Sequence, residues 1–176
     1  RDIAQKFNND FKVDLFPIPE PLIFGEATRV MSLRDGSKKM SKSDPSDYSR
    51  IMLTDTAENI IQKIKKAKTD PQPLPQNIDG LSSRPEAENL ISIFASLQDV
   101  SIEKVISEYS GKEFSIFKKD LADLAVSKLE PITVEMNKLM NDISYIDSIL
   151  SIGKEKAKQV AEPVLAKTKE IIGFLS

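Results

Sequence analysis

The residues best suited to chemistry lie in one polar segment, residues 36–45, which reads Gly-Ser-Lys-Lys-Met-Ser-Lys-Ser-Asp-Pro. Lys39 and Lys42 are separated by two residues, and the hydroxyls of Ser41 and Ser43 lie between and beside them. Lysine supplies a compact cation and serine a short hydroxyl donor, so this set suits a polyphosphate. The glycine before these residues and the proline after them are typical of a loop that closes over a ligand.

Met40 is the apolar exception inside this run, and we expect it either to anchor the loop or to cover an adenine ring. Composition alone favours a simpler interpretation, because short runs of lysine and serine are usually solvated loops. The chain has a net charge of −2, so its mean charge would repel phosphate. Any contact with phosphate or RNA therefore depends on local clusters of cations.

The composition excludes several kinds of chemistry. The chain contains no cysteine and no histidine, which rules out disulfides and any mechanism that uses a thiolate or an imidazole. Hydrophobic residues make up 40% of the 176 residues, so a real core is expected. No apolar run of roughly 18 residues occurs, and we predict no membrane segment. Because Arg1 leads directly into a helical pattern, we also expect the sequence to belong to a longer protein.

The elements that must position the loop change in character along the chain. Residues 2–10 have a helical apolar pattern, and the three prolines that follow within residues 11–21 predict extended chain. Brief apolar runs around Gly25 predict short strands or extended segments, and residues 34–47 are predicted to be a loop. Beyond this point the pattern is helical. Helices are predicted to begin near residues 55, 86, 101, 114 and 143, with a last one over 155–175.

Several details of these helices are specific enough to test. Asp55 is predicted to be an N-cap, because Glu58 follows it at the spacing of a capping box. Pro131 is expected to kink or restart the helix that contains it, and Gly153 to separate two helices. Met136 and Met140 are predicted core residues. The helix after Asp55 is predicted to have an apolar face of Ile60, Ile61, Ile64 and Ala67 and a solvated face of Lys63, Lys65, Lys66 and Lys68.

Residues 39–43 spell Lys-Met-Ser-Lys-Ser, which matches the second signature of the class I aminoacyl-tRNA synthetases without a gap. Their surroundings resemble the tryptophanyl-tRNA synthetase family in particular. The resemblance continues before the loop at residues 29–33 and after it at residues 63–70. Residues 90–94 and 109–118 are similar to that family's helical region, so the likeness covers most of the chain, although the loop is its one sharp motif.

This resemblance implies a mainly α fold. Residues 1–50 would form the C-terminal piece of a Rossmann-like α/β catalytic domain that carries the loop. Residues 51–176 would form an all-α helical domain of the anticodon-binding type, with a last helix that could instead pack on the catalytic domain. The helix that begins near residue 86 departs from the family pattern in having two acidic residues at its start, and we assign it no role beyond packing.

The resemblance also implies site residues. Lys39 and Lys42 would be catalytic, because they would stabilise the negative charge that develops on pyrophosphate as tryptophan attacks the α-phosphate of ATP. Val30 would contact adenine through its main chain. Mg²⁺ would arrive with ATP, and no protein metal ligand is predicted. The predicted ATP-binding residues are Val30, Lys39, Met40, Ser41, Lys42 and Ser43.

The implied partners are tRNA(Trp), tryptophan and ATP, in a full-length protein that forms a homodimer, acts in the cytoplasm and has no membrane contact. Tyr109, Phe117 and Tyr145 are candidates for stacking on anticodon bases by residue type alone. The family's first signature contains histidine, which this chain lacks, so we expect the segment to be inactive on its own. Two alternatives stay open: a tyrosyl-tRNA synthetase segment, and a non-catalytic helical module that binds RNA or acts as an adaptor.

Overall fold

The computed structural model describes residues 1–25 and 27–174 of the chain. Within this part the fold is mostly helical, as predicted, and has one two-stranded sheet. The helices are α1 (Asp2–Phe11), α2 (Ala57–Lys65), α3 (Pro85–Gln98), α4 (Ile102–Tyr109), α5 (Phe114–Met140) and α6 (Ile143–Ile171). The strands are β1 (Met31–Ser32) and β2 (Asp35–Lys39), and short 3₁₀ turns occupy Asp47–Ser49 and Ile78–Leu81.

The chain divides into two compact units. One is Phe24–Lys138, and the other combines Arg1–Ile23 with the chain from Leu139 onward. The first unit contains the sheet, α2, α3, α4 and most of α5. The second contains α1 and α6. The predicted boundary at residue 50 concerns the domains of a whole protein, and it stays a prediction.

The core of the first unit is built by α2, α3, α4 and the first turns of α5. Its centre is a cluster of three aromatic rings, in which the ring centroids of Phe94 and Tyr109 lie 5.3 Å from one another and those of Tyr109 and Phe117 lie 4.9 Å apart. Leu90, Ile60 and other buried aliphatic side chains surround this cluster. Each fully buried side chain of this size contributes roughly 1.5–3 kcal/mol, so this core stabilises the unit that contains residues 36–45.

The helix caps agree only partly with the predictions. Ser101 caps α4 as expected, since its hydroxyl accepts a hydrogen bond from the N–H of Lys104. The prediction of Asp55 as the cap of α2 is wrong: Thr56 is the N-cap and accepts from the N–H of Asn59. Threonine and aspartate are both good caps, and here Asp55 is buried and engaged in an ion pair instead.

The separation predicted at Gly153 is absent, and of the kink or restart predicted at Pro131 the restart is absent. α5 continues through Pro131, so the helix does not restart there, and α6 continues through Gly153 and Pro163. A glycine inside a helix costs only about 0.5–1 kcal/mol relative to alanine, which is too little to end a helix whose neighbouring turns persist. The separation of two helices at Gly153 is therefore a wrong prediction.

The assignment of both methionines to the core is also wrong. Met136 is half-buried, and Met140 is 59% exposed. Helical periodicity shows which face of a helix is apolar, but it does not show whether this chain supplies an element to cover that face. α6 likewise has no buried residue in the part that the structure describes. None of the described helices is long and apolar enough to cross a bilayer.

Candidate functional site

The first half of the predicted loop is a strand. β1 and β2 pair in antiparallel fashion, with Met31 opposite Lys39 and Ser32 opposite Asp35. The prediction of a loop over residues 34–47 is therefore wrong for Asp35–Lys39. Lysine, serine and glycine have low intrinsic strand preference, and it is the pairing with β1 that makes this segment extended. The hairpin places Lys39 at the end of β2, where the chain leaves the sheet.

The five residues from Lys39 to Ser43, called the signature loop below, begin at this sheet. The N–H of Met40 donates to the carbonyl of Val30 at 3.1 Å, which continues the β1–β2 pairing by one more bond. The loop then turns on Ser41, whose hydroxyl accepts from the N–H of Ser43 at 3.3 Å. The two serine hydroxyls lie 3.0 Å apart. These local bonds give the loop a defined shape.

Five of the six predicted ATP-binding residues line a cavity of about 530 Å³. Ser43 is the exception, because its side chain turns toward Ser41 and it is absent from the lining. The sequence did not predict the other lining residues, although Arg29 lies in the stretch that resembles the synthetases. The five predicted residues in the lining are Val30, Lys39, Met40, Ser41 and Lys42, and the remainder are Thr28, Arg29, Arg50, Ile51 and Met52.

The cavity has a strongly positive lining. Four of its lining residues carry positive charge and, of the described residues, no acidic one lines it. Lys39 and Lys42 are exposed, and the described residues offer neither of them an ion-pair partner, whereas neighbouring Lys38 pairs with Asp35 at 3.2 Å. Two unpaired lysines in a pocket that also has apolar walls suit a ligand with a polyphosphate and a flat base.

Helix α3 packs against the sheet, as expected, and also hydrogen-bonds to it. The side chain of Asn89 is buried and hydrogen-bonds to both backbone groups of Met31, at 2.9 and 3.0 Å. Gly36 on β2 faces the start of the same helix so closely that a Cβ there would lie 2.5 Å from the carbonyl carbon of Pro85. Glycine at residue 36 is therefore a packing requirement of the site.

The N-terminal turn of α3 is also tied by charge to the chain beyond α2. Lys68 forms an ion pair with Glu86 at 2.7 Å. This bond is the main reason that the pKa of Glu86 lies below its ordinary value, and it raises the pKa of Lys68. Since the backbone N–H of Lys68 donates to the carbonyl of Leu33 at 2.7 Å, the same residue joins α3 to the hairpin turn.

Beyond the signature loop the chain is held by Arg50. Its guanidinium donates to the carbonyls of Asp44 at 2.9 Å and Ser46 at 3.2 Å, and it pairs with Asp47 at 3.4 Å. Its Nε is buried and has no partner among the described residues. Arg50 also lines the cavity, so it connects the segment that leaves the loop with the wall of the site.

Lys63 is the charged residue that sequence reasoning placed most wrongly. Predicted on the solvated face of α2, it is only 3% exposed, and its ammonium lies 2.7 Å from Asp55 and 2.9 Å from Asp47. Helical periodicity alone cannot distinguish it from its exposed neighbours. The sequence signal for its burial is the presence of two possible ion-pair partners, Asp47 and Asp55, in the segment before α2. Asp55 was predicted to be a helix cap instead.

The three aromatic candidates for base stacking have different environments. Phe117 is fully buried, and Tyr109 is buried with its O–H donating to Asp120 at 2.9 Å. Tyr145 is half exposed. The first two side chains belong to the core, so of the three only Tyr145 presents an accessible ring in this structure.

Within the described residues no group of three acidic side chains is arranged to hold a metal ion. The candidate site is thus a cationic pocket formed by a hairpin and its exit loop. Its chemistry is that of an anion receptor: lysines and arginines around the cavity, with a serine hydroxyl among them.

Comparison with known proteins identifies a family for this arrangement. Residues 1–130 match the model for tRNA synthetases class I (W and Y). The chain is 55% identical over 175 residues to a tryptophan–tRNA ligase of Caulobacter vibrioides and 56% identical, over an alignment of 194 positions, to one of Rhizobium meliloti. These matches cover 99% of this chain but 51% and 55% of the relatives, so the chain spans about half of their length.

Solved structures give the same result. The crystal structure of tryptophanyl-tRNA synthetase from Mycoplasma pneumoniae superposes with a TM-score of 0.82 at 25% identity, over 100% of this chain and 54% of that one. The Campylobacter jejuni enzyme, in complex with ADP and tryptophan, gives a TM-score of 0.64 at 27% identity, over 99% and 52%. With the family model matching most of its residues, the chain belongs to the class I tRNA synthetases of the tryptophan and tyrosine family.

Proposed function

We propose that this chain is part of a tryptophan–tRNA ligase, which activates tryptophan with ATP and transfers it to tRNA(Trp). The activity is proposed for a full-length protein that contains the chain, because the chain spans about half the length of its relatives. The observation that carries the proposal is the cationic cavity, whose lining includes Lys39 and Lys42 of the signature loop. The names of the relatives favour tryptophan over tyrosine.

In this proposal the two loop lysines act on the leaving group. As the tryptophan carboxylate attacks the α-phosphate of ATP, the bond to the β-phosphate breaks and negative charge develops on pyrophosphate. Lys39 and Lys42 would donate charge-assisted hydrogen bonds to those oxygens, and these bonds strengthen as the charge grows. Because their ammonium groups have no ion-pair partner in the described chain, they need not break an existing bond to do so.

The remaining residues of the site would bind the nucleotide. Ser41 and Val30 both line the cavity, and Ser41 supplies a hydroxyl there. The carbonyl of Val30 already accepts a hydrogen bond from the N–H of Met40. The contribution proposed for Met40 therefore comes from its side chain, which lines the cavity and can cover an adenine ring. Ser43 would act mainly by fixing Ser41.

Mg²⁺ fits this site as a companion of ATP and not as a resident of the protein. The described residues lack a group of acidic ligands, and magnesium in such sites commonly takes most of its ligands from phosphates and water. Bound with ATP, it would supply additional neutralisation of phosphate charge.

We further propose that residues 1–50 complete a Rossmann-like catalytic domain and that residues 51–176 contribute helices that contact tRNA(Trp). The mostly helical content after residue 55 supports the second part. The grouping of Arg1–Ile23 with the chain from Leu139 onward supports the idea that the last helix packs with the catalytic part. A homodimer and a cytoplasmic location stay predictions from the resemblance.

The test is amino-acid-dependent exchange of pyrophosphate into ATP by the full-length protein, with tryptophan and tyrosine supplied separately. Exchange with tryptophan alone is the expected result. Exchange with tyrosine would keep the reaction and change the substrate. If neither amino acid supported exchange, the ligase function would be wrong and the signature loop would be a solvated loop of a non-catalytic module.

A further inference from the structure

A cluster of ion pairs around the buried Lys63, beside the signature loop, has no role in the function proposed so far. It consists of Asp47, Arg50, Asp55 and Lys63, called the loop anchor below. The Lys63 side chain is 3% exposed, and its ammonium contacts both aspartates. Burying an ammonium is costly unless it is paired and hydrogen-bonded. Although burial acts to lower it, the pKa of Lys63 is raised overall by these two carboxylates, so the group stays charged.

The two carboxylates connect Lys63 to different segments that meet at the cavity. Asp55 also accepts the N–H of Met52 at 2.8 Å, and Met52 lines the cavity. Asp47 pairs with Arg50, which in turn holds the carbonyl of Asp44 at 2.9 Å. Asp44 is the residue that directly follows the signature loop. A continuous series of ion pairs and hydrogen bonds therefore runs from α2 to the end of the loop.

The opposite end of the signature loop is fixed by the sheet, through the bond between Met40 and Val30. The loop is thus held at its entry by β-pairing and at its exit by the loop anchor. Between these two points lies Lys42, whose side chain has no ion-pair partner in the part of the chain that the structure describes. Catalysis by a charged group depends on its placement, and a shift of about 1 Å can reduce a rate as much as 100-fold.

We propose that Lys63 is a positioning residue for the activation step: through Asp47 and Arg50 it fixes the exit of the signature loop and so holds Lys42 at the leaving pyrophosphate. Lys63 does not touch the nucleotide, since it is absent from the cavity lining. This inference rests on the proposed ligase function. Its rival is a purely structural role, in which the loop anchor stabilises the fold and has no specific effect on the reaction.

Asp47 allows these roles to be separated. Its side chain is 63% exposed, whereas that of Asp55 is 10% exposed, so Asp47→Asn breaks the connection toward the loop and leaves the buried pair of Lys63 and Asp55 intact. Exposed ion pairs contribute little to stability. A change in activity without a change in melting temperature is therefore the result that a structural role would not produce.

The experiment uses the full-length protein and the variants Asp47→Asn, Lys63→Met and the double variant, with Lys104→Met as the control. Lys104 is an exposed lysine on α4 that does not line the cavity. We expect kcat for tryptophan-dependent pyrophosphate exchange to fall about tenfold in both single variants. The KM for tryptophan should stay within about twofold of the unmodified protein, and the double variant should be no slower than Lys63→Met, because both changes break one connection.

Lys63→Met is also expected to lower the melting temperature, because it leaves buried Asp55 without its partner. Asp47→Asn is the variant that decides. If it exchanges pyrophosphate at the unmodified rate, or if its loss of activity follows a loss of folded protein, the positioning role is overturned. Absence of exchange in the unmodified protein would instead show that the ligase function itself is wrong, and the inference would fall with it. Loss of activity in Lys104→Met would also count against it, since the effect would then not be specific to the loop anchor.

Discussion

The side chain of Asn89 forms hydrogen bonds with both backbone polar groups of Met31. Its side-chain oxygen accepts the Met31 N–H at 2.9 Å, and its side-chain nitrogen donates to the Met31 carbonyl at 3.0 Å. β1 is only two residues long and pairs with β2 on one edge. The amide side chain of Asn89 therefore acts as a substitute strand on its other edge, and a helix residue completes the sheet that carries the signature loop.

Replacement of Asn89 by alanine should destabilise this unit of the protein. The change leaves the two polar groups of Met31 without a partner in a poorly solvated position, which costs about 1–3 kcal/mol for each group left unsatisfied. Thermal unfolding should show a lower melting temperature, and hydrogen exchange should become faster in β1 and β2. Gln98→Ala, which removes an exposed amide from the same helix, is the control and should change neither quantity.

Replacement of Gly36 by alanine should disturb the hairpin more directly. The added Cβ would lie 2.5 and 2.6 Å from backbone atoms of Pro85 and Glu86, which cannot rotate away as a side-chain end could. We expect a cost of about 1–3 kcal/mol, typical of overpacking. Gly153→Ala is the matched control, because it meets nothing within 4 Å and lies inside α6. It should stabilise the protein by about 0.5–1 kcal/mol, and equal melting temperatures for the two variants would contradict the prediction.

The sequence was informative where one local signal dominates. The Ser101 cap and the composition of the signature loop each depend on residues within a turn or two of one another. The apolar face predicted for α2 is buried at Ile60, Ile64 and Ala67, but the prediction is wrong for Ile61, which is 41% exposed. The loop lysines were found because their types and spacing are unusual. The structure gathers five of the six predicted ATP-binding residues around one cavity, although their contact with ATP stays a prediction.

The sequence was uninformative where a distant residue decides. Asn89 is 58 residues from Met31, and no local pattern indicates that a helix amide will complete a strand. Asp55 and Thr56 are equivalent as caps by type, and the choice is made by Lys63, which engages Asp55 from within α2. Met140 lies on a helix, as predicted, but whether its side chain is buried depends on whether another part of the protein packs against that face of the helix.

The stability of the folded protein at high pH should depend on the protonation of the buried Tyr109. Burial is the main cause that raises the pKa of Tyr109 to about 12, and the carboxylate of Asp120 adds to it. The neutral phenol is therefore favoured in the folded state. Its contribution to stability is complete below the ordinary pKa of 10.0 and is lost as the pH rises toward about 12.

A difference titration measures this contribution. The tyrosinate absorbance of the protein minus that of Tyr109→Phe should show one group that ionises near pH 12. Asp120→Asn removes the neighbouring charge and should shift this group to lower pH, though not to its ordinary value, because burial persists. A tyrosine that titrated near pH 10 in the unmodified protein would show that Tyr109 is solvated.

Replacement of Lys42 by alanine tests the chemistry of the site. One charge-assisted hydrogen bond contributes roughly 1.5–3 kcal/mol. If that bond forms in the transition state, its loss should slow tryptophan-dependent pyrophosphate exchange by about one to two powers of ten. Lys39→Ala should have an effect of similar size. The effect should appear mainly in kcat, since the charge on pyrophosphate is larger in the transition state than in bound ATP.

Lys38→Ala is the control for both changes, because Lys38 is adjacent in sequence but pairs with Asp35 and does not line the cavity. It removes the same charge from β2, the strand that ends at Lys39, and should leave the exchange rate within about twofold. An equal loss in all three variants would mean that general positive charge, and not placed donors, attracts ATP to the site. A normal rate in Lys42→Ala would show that Lys42 is not catalytic. The positioning role proposed for the loop anchor would then fail too, because the anchor would have no catalytic group to hold in place.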